Sequence, residues 1–418
     1  MIRTQRPRTF SSIMMVMGKA PHRTNSAIAI YANQGFLFRH KDEHLKPSTP
    51  RLTDVRDQLL DVGWVPAAIL PNISSERAVE GDVIAFACRD DPRVVEFGIR
   101  HPKFKDLTSR FTDAFHVPTE PVILIVREDV VGKLAVLDPL ASFRDLVALS
   151  TIPYTRALAT VYGNRAIHRI CYSNSFWLYP WMLDKDNEHL TASTPAFHGM
   201  HIVDEFHGQA TPELPIMELG EIDGPLLEIL LRRWKRYYLG RRKYPEDRAL
   251  FRSLNMAAQA AQLPAGIDVT LYDLGRLIAL WVSACEILAH QSAGHAGVKE
   301  VYDLLHRIRF VNHGMKLRKY KAFVGRRNGI TRTERRNLAC WVYGQLYHAR
   351  CDFLHGNPVR RDRLNFTGET GPFWVAPCVY RLALTGFLML PPMKPSPKSY
   401  TDPQSIIERA LRRTRKRK

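Results

Sequence analysis

The sequence predicts a multidomain α+β chain, mixed and strand-rich in its N-terminal half and all-α in its C-terminal half. Three observations lead there. Short apolar runs bounded by Pro, Gly and Asp recur between residues 27 and 137, the pattern of strands and turns. From Asp223 onward, apolar residues recur instead at three- and four-residue intervals, the helical period. At 418 residues the chain is long enough for two or three domains, each burying a core of its own.

Residues 1–26 carry five basic and no acidic side chains among Ser, Pro and Met and read as a disordered arm. The runs AIAIYA (27–32), VIAFA (83–87), VVEFGI (94–99), VILIV (122–126) and KLAVL (133–137) are the expected strands. Helical patches at 54–61 and 142–161 interrupt them, which makes residues 27–218 an α+β domain, a sensor in the simplest reading. Asp223 has the chemistry of a helix cap, with Pro225 tolerated in the first turn. Leu226, Leu230, Trp234 and Tyr237 then share a stripe, as do Leu274, Ile278, Trp281, Cys285 and Leu288. A third stripe runs through Val342, Leu346, Ala349 and Phe353 and is ended by Gly356, Asn357 and Pro358. These define a helical domain over 219–392. Five prolines between Pro391 and Pro403 mark a linker, so 393–418 reads as a Pro-rich linker and a basic tail.

The formal net charge is +19, from 60 Lys and Arg against 41 Asp and Glu. Such an excess points to a polyanionic partner. Nucleic acid is preferred to a membrane surface, because the basic runs carry no amphipathic anchor. The six cysteines are scattered and form no C-x-x-C pair, which argues for reduced thiols and against a zinc site or disulfide framework. No apolar run approaches the roughly 18 residues of a membrane span, and the IMMVM stretch is too short for a signal-peptide core. A cytoplasmic protein without a cofactor is the expectation.

The segment Tyr343 to Gly356, YGQLYHARCDFLHG, resembles the signature of the HEPN family, especially its ApeA-like branch, in which an Arg is followed four to six residues later by a His. Arg350, His355 and Gly356 match that signature. The helix LIALWVSACEIL, with Trp281 and Glu286, resembles the family's first long helix and its acidic residue. The likeness covers about residues 245–390 and departs from the family at Cys351, where members usually carry a small polar residue. It implies a helical bundle, a homodimer that brings two Arg and His sets to one cleft, and metal-independent RNA cleavage, in fusions that often serve bacterial antiviral defence or act as toxins. Arg350 and His355 would be catalytic and Glu286 would orient one of them. These residue types suit RNA cleavage, since a His can move the proton of a 2′-hydroxyl or of the leaving 5′-oxygen, and a guanidinium can hold the charge that builds on phosphorus. The alternative is a non-catalytic module that binds nucleic acid or mediates assembly. Spacing alone is weak evidence, since Arg39 and His44, and Arg307 and His313, reproduce it.

Three basic tracts are candidates to hold RNA. Residues 232–243 contain seven cations, Arg232, Arg233, Lys235 and Arg236 among them, interleaved with Trp234, Tyr237 and Tyr238. Residues 316–336 contain nine against the single acid Glu334, including Lys316, Arg318, Lys319, Lys321, Arg326 and Arg327; residues 409–418 contain seven. Aromatics among cations suit single-stranded RNA, although the spacing of Trp234 and Tyr237 favours core positions. A run of His198, His201, Asp204, Glu205 and His207 has the residue types of a metal site, but ordinary polar positions on a half-exposed strand account for it better, and no metal is expected.

Overall fold

The computed structural model describes residues 63–76, 78–113, 116–163, 172–178, 181–183, 190–194, 197–200, 217–219, 221–263, 270–290, 296–357, 371, 373–391 and 402–414. The expected arm at 1–26, the run at 27–32, the patch at 54–61 and the residues His201, Asp204, Glu205 and His207 lie outside them.

The N-terminal side is built on a four-stranded antiparallel sheet of β1 (Trp64–Leu70), β5 (Val122–Arg127), β4 (Ile84–Ala87) and β3 (Val79–Glu80), in that order. The run VILIV forms β5 because both faces of the sheet are covered, which a continuous apolar run requires. Val122, Leu124 and Val126 join the main core, whereas Ile123 and Ile125 join a smaller cluster with Val94, Phe97 and Phe104. Smaller pairings complete this side: β2 (Ile73–Ser74) runs parallel to β9 (Met217–Glu218), and β6 (Trp181–Leu183), β7 (Leu190–Thr194) and β8 (Phe197–Met200) form a three-stranded antiparallel sheet.

Two of the expected strands are helical. VVEFGI lies in α1 (Pro92–Arg100), where Asp91 Oδ1 accepts the Arg93 N–H at 3.0 Å and Pro92 occupies the first turn. Val94, Phe97 and Gly98 face inward and Val95 and Ile99 outward. This run fits both periods, and the cap with its proline decides for helix. α2 (Pro102–Ser109) follows. KLAVL is divided between a single turn, α3 (Val131–Leu134), and the start of α4 (Leu137–Tyr162), whose own helical pattern continues through Leu140, Phe143 and Val147.

Helix α4 is buried on nearly every side and joins the two halves. The sheet's inner face packs toward it, and around it lie α5 (Gly224–Leu239), α6 (Pro245–Ala260), α11 (Ala376–Leu388) and α12 (Pro403–Arg413). One apolar cluster therefore runs from Ala67 in β1 to Leu411 in α12, across the boundary expected near residue 219. The helical stripes are buried as expected: Leu226, Leu230 and Trp234 join this cluster, as do Trp281, Cys285 and Leu288 of α7 (Leu271–Ala289), while Ile278 packs in a small separate cluster with Ala349 and Phe373. None of the described helices is long and apolar enough to cross a membrane.

The C-terminal half differs from expectation in two places. It is not all-α: between α8 (Val298–His306), α9 (His313–Lys316) and α10 (Leu338–Leu354) stands an antiparallel hairpin of β10 (Tyr320–Arg327) and β11 (Ile330–Arg336). Its turn is Asn328-Gly329 with φ of 50° and 75°, the two positive values of a type I′ turn. Nor is the C-terminal stretch wholly linker and tail. Asp402 Oδ2 accepts the Ser405 N–H at 2.9 Å to start α12, whose Ile406, Ile407, Ala410 and Leu411 are buried. The buried Glu408 carboxylate accepts the N–H groups of Val311 and Asn312 at 2.9 and 2.7 Å.

The hairpin root carries a pH-sensitive contact. His306 Nε2 accepts from Arg336 Nη1 at 3.2 Å, which requires that nitrogen to be unprotonated. Burial, then Arg318 and Arg336, hold the ring's pKa below its ordinary 6.5. The unfolded chain therefore takes up this proton first, so stability is complete above pH ~6.5 and falls as the pH drops from there through the lower folded value. His306→Gln should flatten that part of the unfolding free energy against pH; an unchanged profile would show that His306 does not contribute to it.

Candidate active site

The site sits at the C-terminal end of α10. Asn337 caps the start of this helix, its Oδ1 accepting the Cys340 N–H at 2.9 Å, and Val342, Leu346 and Ala349 bury its inner stripe. Gly344 lets the helix pass close to the Tyr302 hydroxyl and the Phe323 backbone, where a Cβ would collide. At the other end His355 is the C-cap and Gly356 has φ of 70°. The Asn357 N–H donates to Asp352 O at 2.8 Å and the Gly356 N–H to Phe353 O at 3.3 Å, the paired bonds of a Schellman motif. The motif stops the helix where His355 leaves the packed stripe, and His355 is exposed.

Arg350 and Glu286 do come together. Arg350 Nη2 lies 4.0 Å from Glu286 Oε2, with the two side chains 27% and 16% exposed. The guanidinium carbon is 5.6 Å from the Tyr347 ring centre. Arg350 Nε is buried with no hydrogen-bond partner among the described residues. Burial raises the pKa of Glu286 and the Arg350 charge partly opposes it. Glu286 also lines a cavity of about 370 Å³ with Arg252, Ser283, Ile287 and His290. Close approach of α7 and α10 is permitted at Gly275, where a Cβ would overlap the Phe353 ring. Burial raises the pKa of the Cys351 thiol, and the Arg350 charge partly opposes it. No hydrogen bond, ion pair or ring contact among the described residues joins His355 to Arg350 or Glu286 within one chain. The other Arg and His pairs are elsewhere: Arg307, with five residues before His313, caps the end of α8 and His313 begins α9, while Arg39 and His44 lie outside the described residues.

A second polar group on the same helix escaped sequence reasoning. Asp352 is only 3% exposed, and Arg326 Nη2 reaches its Oδ1 at 2.9 Å. Arg326 Nη2 also donates to His348 Nε2 at 2.7 Å, and His348 lies flat on Phe323 with ring centres 4.3 Å apart. His348 and Asp352 are one helical turn apart, a signal available in the sequence; their partner Arg326 is on the hairpin. Arg326 thus ties β10 to the site helix.

The other cations expected to bind RNA divide into two sets. In α5, Arg233 and Arg236 both bind the fully buried Asp247, at 3.0 and 2.6 Å, Lys235 pairs with Asp82, and Arg232 lies 3.7 Å from Glu228. Trp234 is core, 1% exposed, with Tyr237 half-buried beside it. The four cations of α5 are thus paired with acids, whereas Arg241, Arg242 and Lys243 of the same tract are exposed. Lys316, Arg318, Lys319, Lys321 and Arg327, by contrast, are exposed. Among the described residues, no three His, Cys, Asp or Glu converge to hold a metal ion. Comparison with protein-family models, with curated proteins and with solved structures finds no match to this chain.

Proposed function

We propose that the chain is a metal-independent endoribonuclease of HEPN type, in which Arg350 and His355 act on RNA and Glu286 positions Arg350. The observation that carries this reading is the partly exposed Arg350 guanidinium, held by Glu286 at the end of a helix whose Schellman motif presents His355 to solvent. In the reaction a 2′-hydroxyl loses its proton and attacks the adjacent phosphorus, and the P–O bond to the leaving 5′-oxygen breaks as that oxygen gains a proton. His355 moves one of these protons, and Arg350 holds the charge that builds on the phosphoryl oxygens.

No contact joins His355 to Arg350 within one chain, and the likeness to the HEPN signature implies a homodimer that sets two such ends face to face. An apolar surface beside the site supports this: Tyr272 is 77% and Leu354 53% exposed, and the Tyr272 ring lies 6.3 Å from that of Phe353. Purified protein should cut RNA to products ending in a 2′,3′-cyclic phosphate, equally well in EDTA, and should sediment as a dimer. Inhibition by EDTA, or full activity from a monomer, would remove this mechanism. The same separation of His355 from Arg350 favours the second reading, a module that binds nucleic acid without cutting it; such a protein would retain RNA and yield no product. Service in bacterial defence or as a toxin extends the first reading.

A further inference from the structure

The β10–β11 hairpin is set apart by exposure and by charge. Ile330, Thr331, Arg332 and Thr333 are exposed in succession, so both faces of the ribbon meet solvent beyond the register shift at Phe323 to Gly325. Residues 316–336 hold nine cations and one acid, and that acid, Glu334, is already bound by Arg336 at 2.6 Å. The side chains of Lys321, Arg327, Arg332 and Arg335 have neither a hydrogen bond nor an ion pair among the described residues. Lys321 and Arg335 face each other directly across the strands. Like charges in that position destabilise a ribbon, so the hairpin's own stability does not explain them.

The ribbon lacks what an unpaired strand would use. Its only rings are at its root: Phe323 is buried against His348, and Tyr320 is half-buried near Trp341. Residues 324–335 contain no aromatic. Single-strand binding draws on bases stacked on aromatic rings, and the exposed part of the ribbon has no ring to offer. It offers cations for phosphates, with the exposed hydroxyl-bearing Thr331 and Thr333 between them. Double-helical RNA, recognised by shape and through phosphates and 2′-hydroxyls, matches that inventory. The ribbon is also long: eight residues of β10 extend about 27 Å and are closed by a type I′ turn.

We infer that the β10–β11 hairpin is a docking arm for a base-paired segment of RNA, gripping its phosphates through Arg327 and Arg332, which the register places on one face of the ribbon. The inference rests on the RNA reading above and extends it to the kind of RNA. Arg326, bound to Asp352 at 2.9 Å, fixes the arm to α10 one turn before His355. A helix held on the ribbon leaves its adjoining strand at this end of α10, which makes structured RNA the preferred substrate.

Binding should be measured on Arg350→Ala protein, so that no RNA is consumed whether or not the cleavage reading stands. The probes are an RNA duplex, an unpaired RNA of equal length, and a DNA duplex of the same sequence. The RNA duplex should bind at least about tenfold more tightly than the unpaired strand. Arg327→Glu with Arg332→Glu should remove that preference and lower the slope of log affinity against log salt by about two, one per lost phosphate contact. Both residues are exposed, so the thermal midpoint should be unchanged; the Gln pair gives a milder version of the same loss if the Glu pair misfolds. Equal binding of paired and unpaired RNA, a tighter grip on the DNA duplex, or a duplex affinity that ignores the substitutions would overturn the inference. Cleavage by wild-type protein is read separately, so intact duplex binding with no cleavage would count against Arg350 and His355 alone.

Discussion

Arg350→Ala is expected to lower the rate of RNA cleavage by at least about a hundredfold, the usual loss when one charge-stabilising donor is removed from a transition state. His355→Ala should cost a comparable ~10²–10⁴, the range for general acid–base groups. Neither change should unfold the protein, since Arg350 is 27% exposed and His355 lies at the exposed helix end. Arg350→Lys keeps the charge but loses the fork geometry, so it should recover only part of the rate. Glu286 acts through Arg350, and its test is a pH profile. Burial holds its pKa above the usual 4.5, so acidification protonates it early and releases the guanidinium. The wild-type rate should therefore show an acid limb that Glu286→Gln abolishes, with kcat reduced at all pH values and KM little changed. Arg39→Ala and His44→Ala, which share the four-residue spacing, should leave the rate at wild type, as should Arg307→Ala and His313→Ala, with five residues between them and away from the site. Wild-type cleavage by His355→Ala would end the assignment.

How much of this was legible in the sequence depended on how local the signal is. The stripe of Leu226, Leu230 and Trp234 and the runs that became β4 and β5 are periodic, and periodicity reports burial directly. VVEFGI misled because β-branched residues fit a strand while its spacing fits a helix equally well, and the arbiter is the Asp91-Pro92 cap outside the run. The hairpin had its strongest local sign in Asn328-Gly329. It was obscured because β11, exposed at nearly every position, shows no apolar alternation. In α12 the cations drew the reading toward a tail, although Ile406, Ile407, Ala410 and Leu411 lie on one helical face behind an Asp-Pro cap like that of α1. Arg350, His355 and Glu286 were legible as a pattern, but the bond from Arg326 to Asp352 was not. Pairs between distant residues leave no trace in a single sequence, and the same holds for the ion pair beneath the helical half.

That ion pair should dominate stability. Arg381 Nε donates to Asp223 Oδ2 at 2.6 Å, with both side chains nearly fully buried, 4% and 2% exposed. Asp223 Oδ1 meanwhile accepts the Leu226 N–H at 3.2 Å and so caps α5. Arg381 also attracts the Asp402 carboxylate that caps α12, although burial raises the pKa of that group overall. One guanidinium on α11 thereby links the first turns of two helices that enclose α4. Arg381→Met fills much of the same volume but strands a carboxylate in the core, and breaking a buried pair in this way costs about 3–5 kcal/mol. Asp223→Asn keeps a capping oxygen and removes the charge, so adding it to Arg381→Met should restore part of the loss, with a coupling of at least ~1 kcal/mol in the double-mutant cycle. The measurement is urea unfolding of the four proteins at neutral pH. A loss under about 1 kcal/mol for Arg381→Met, within the range of an exposed pair, would show that Asp223 finds water or another donor and that the α5–α11 junction is held by its apolar contacts alone.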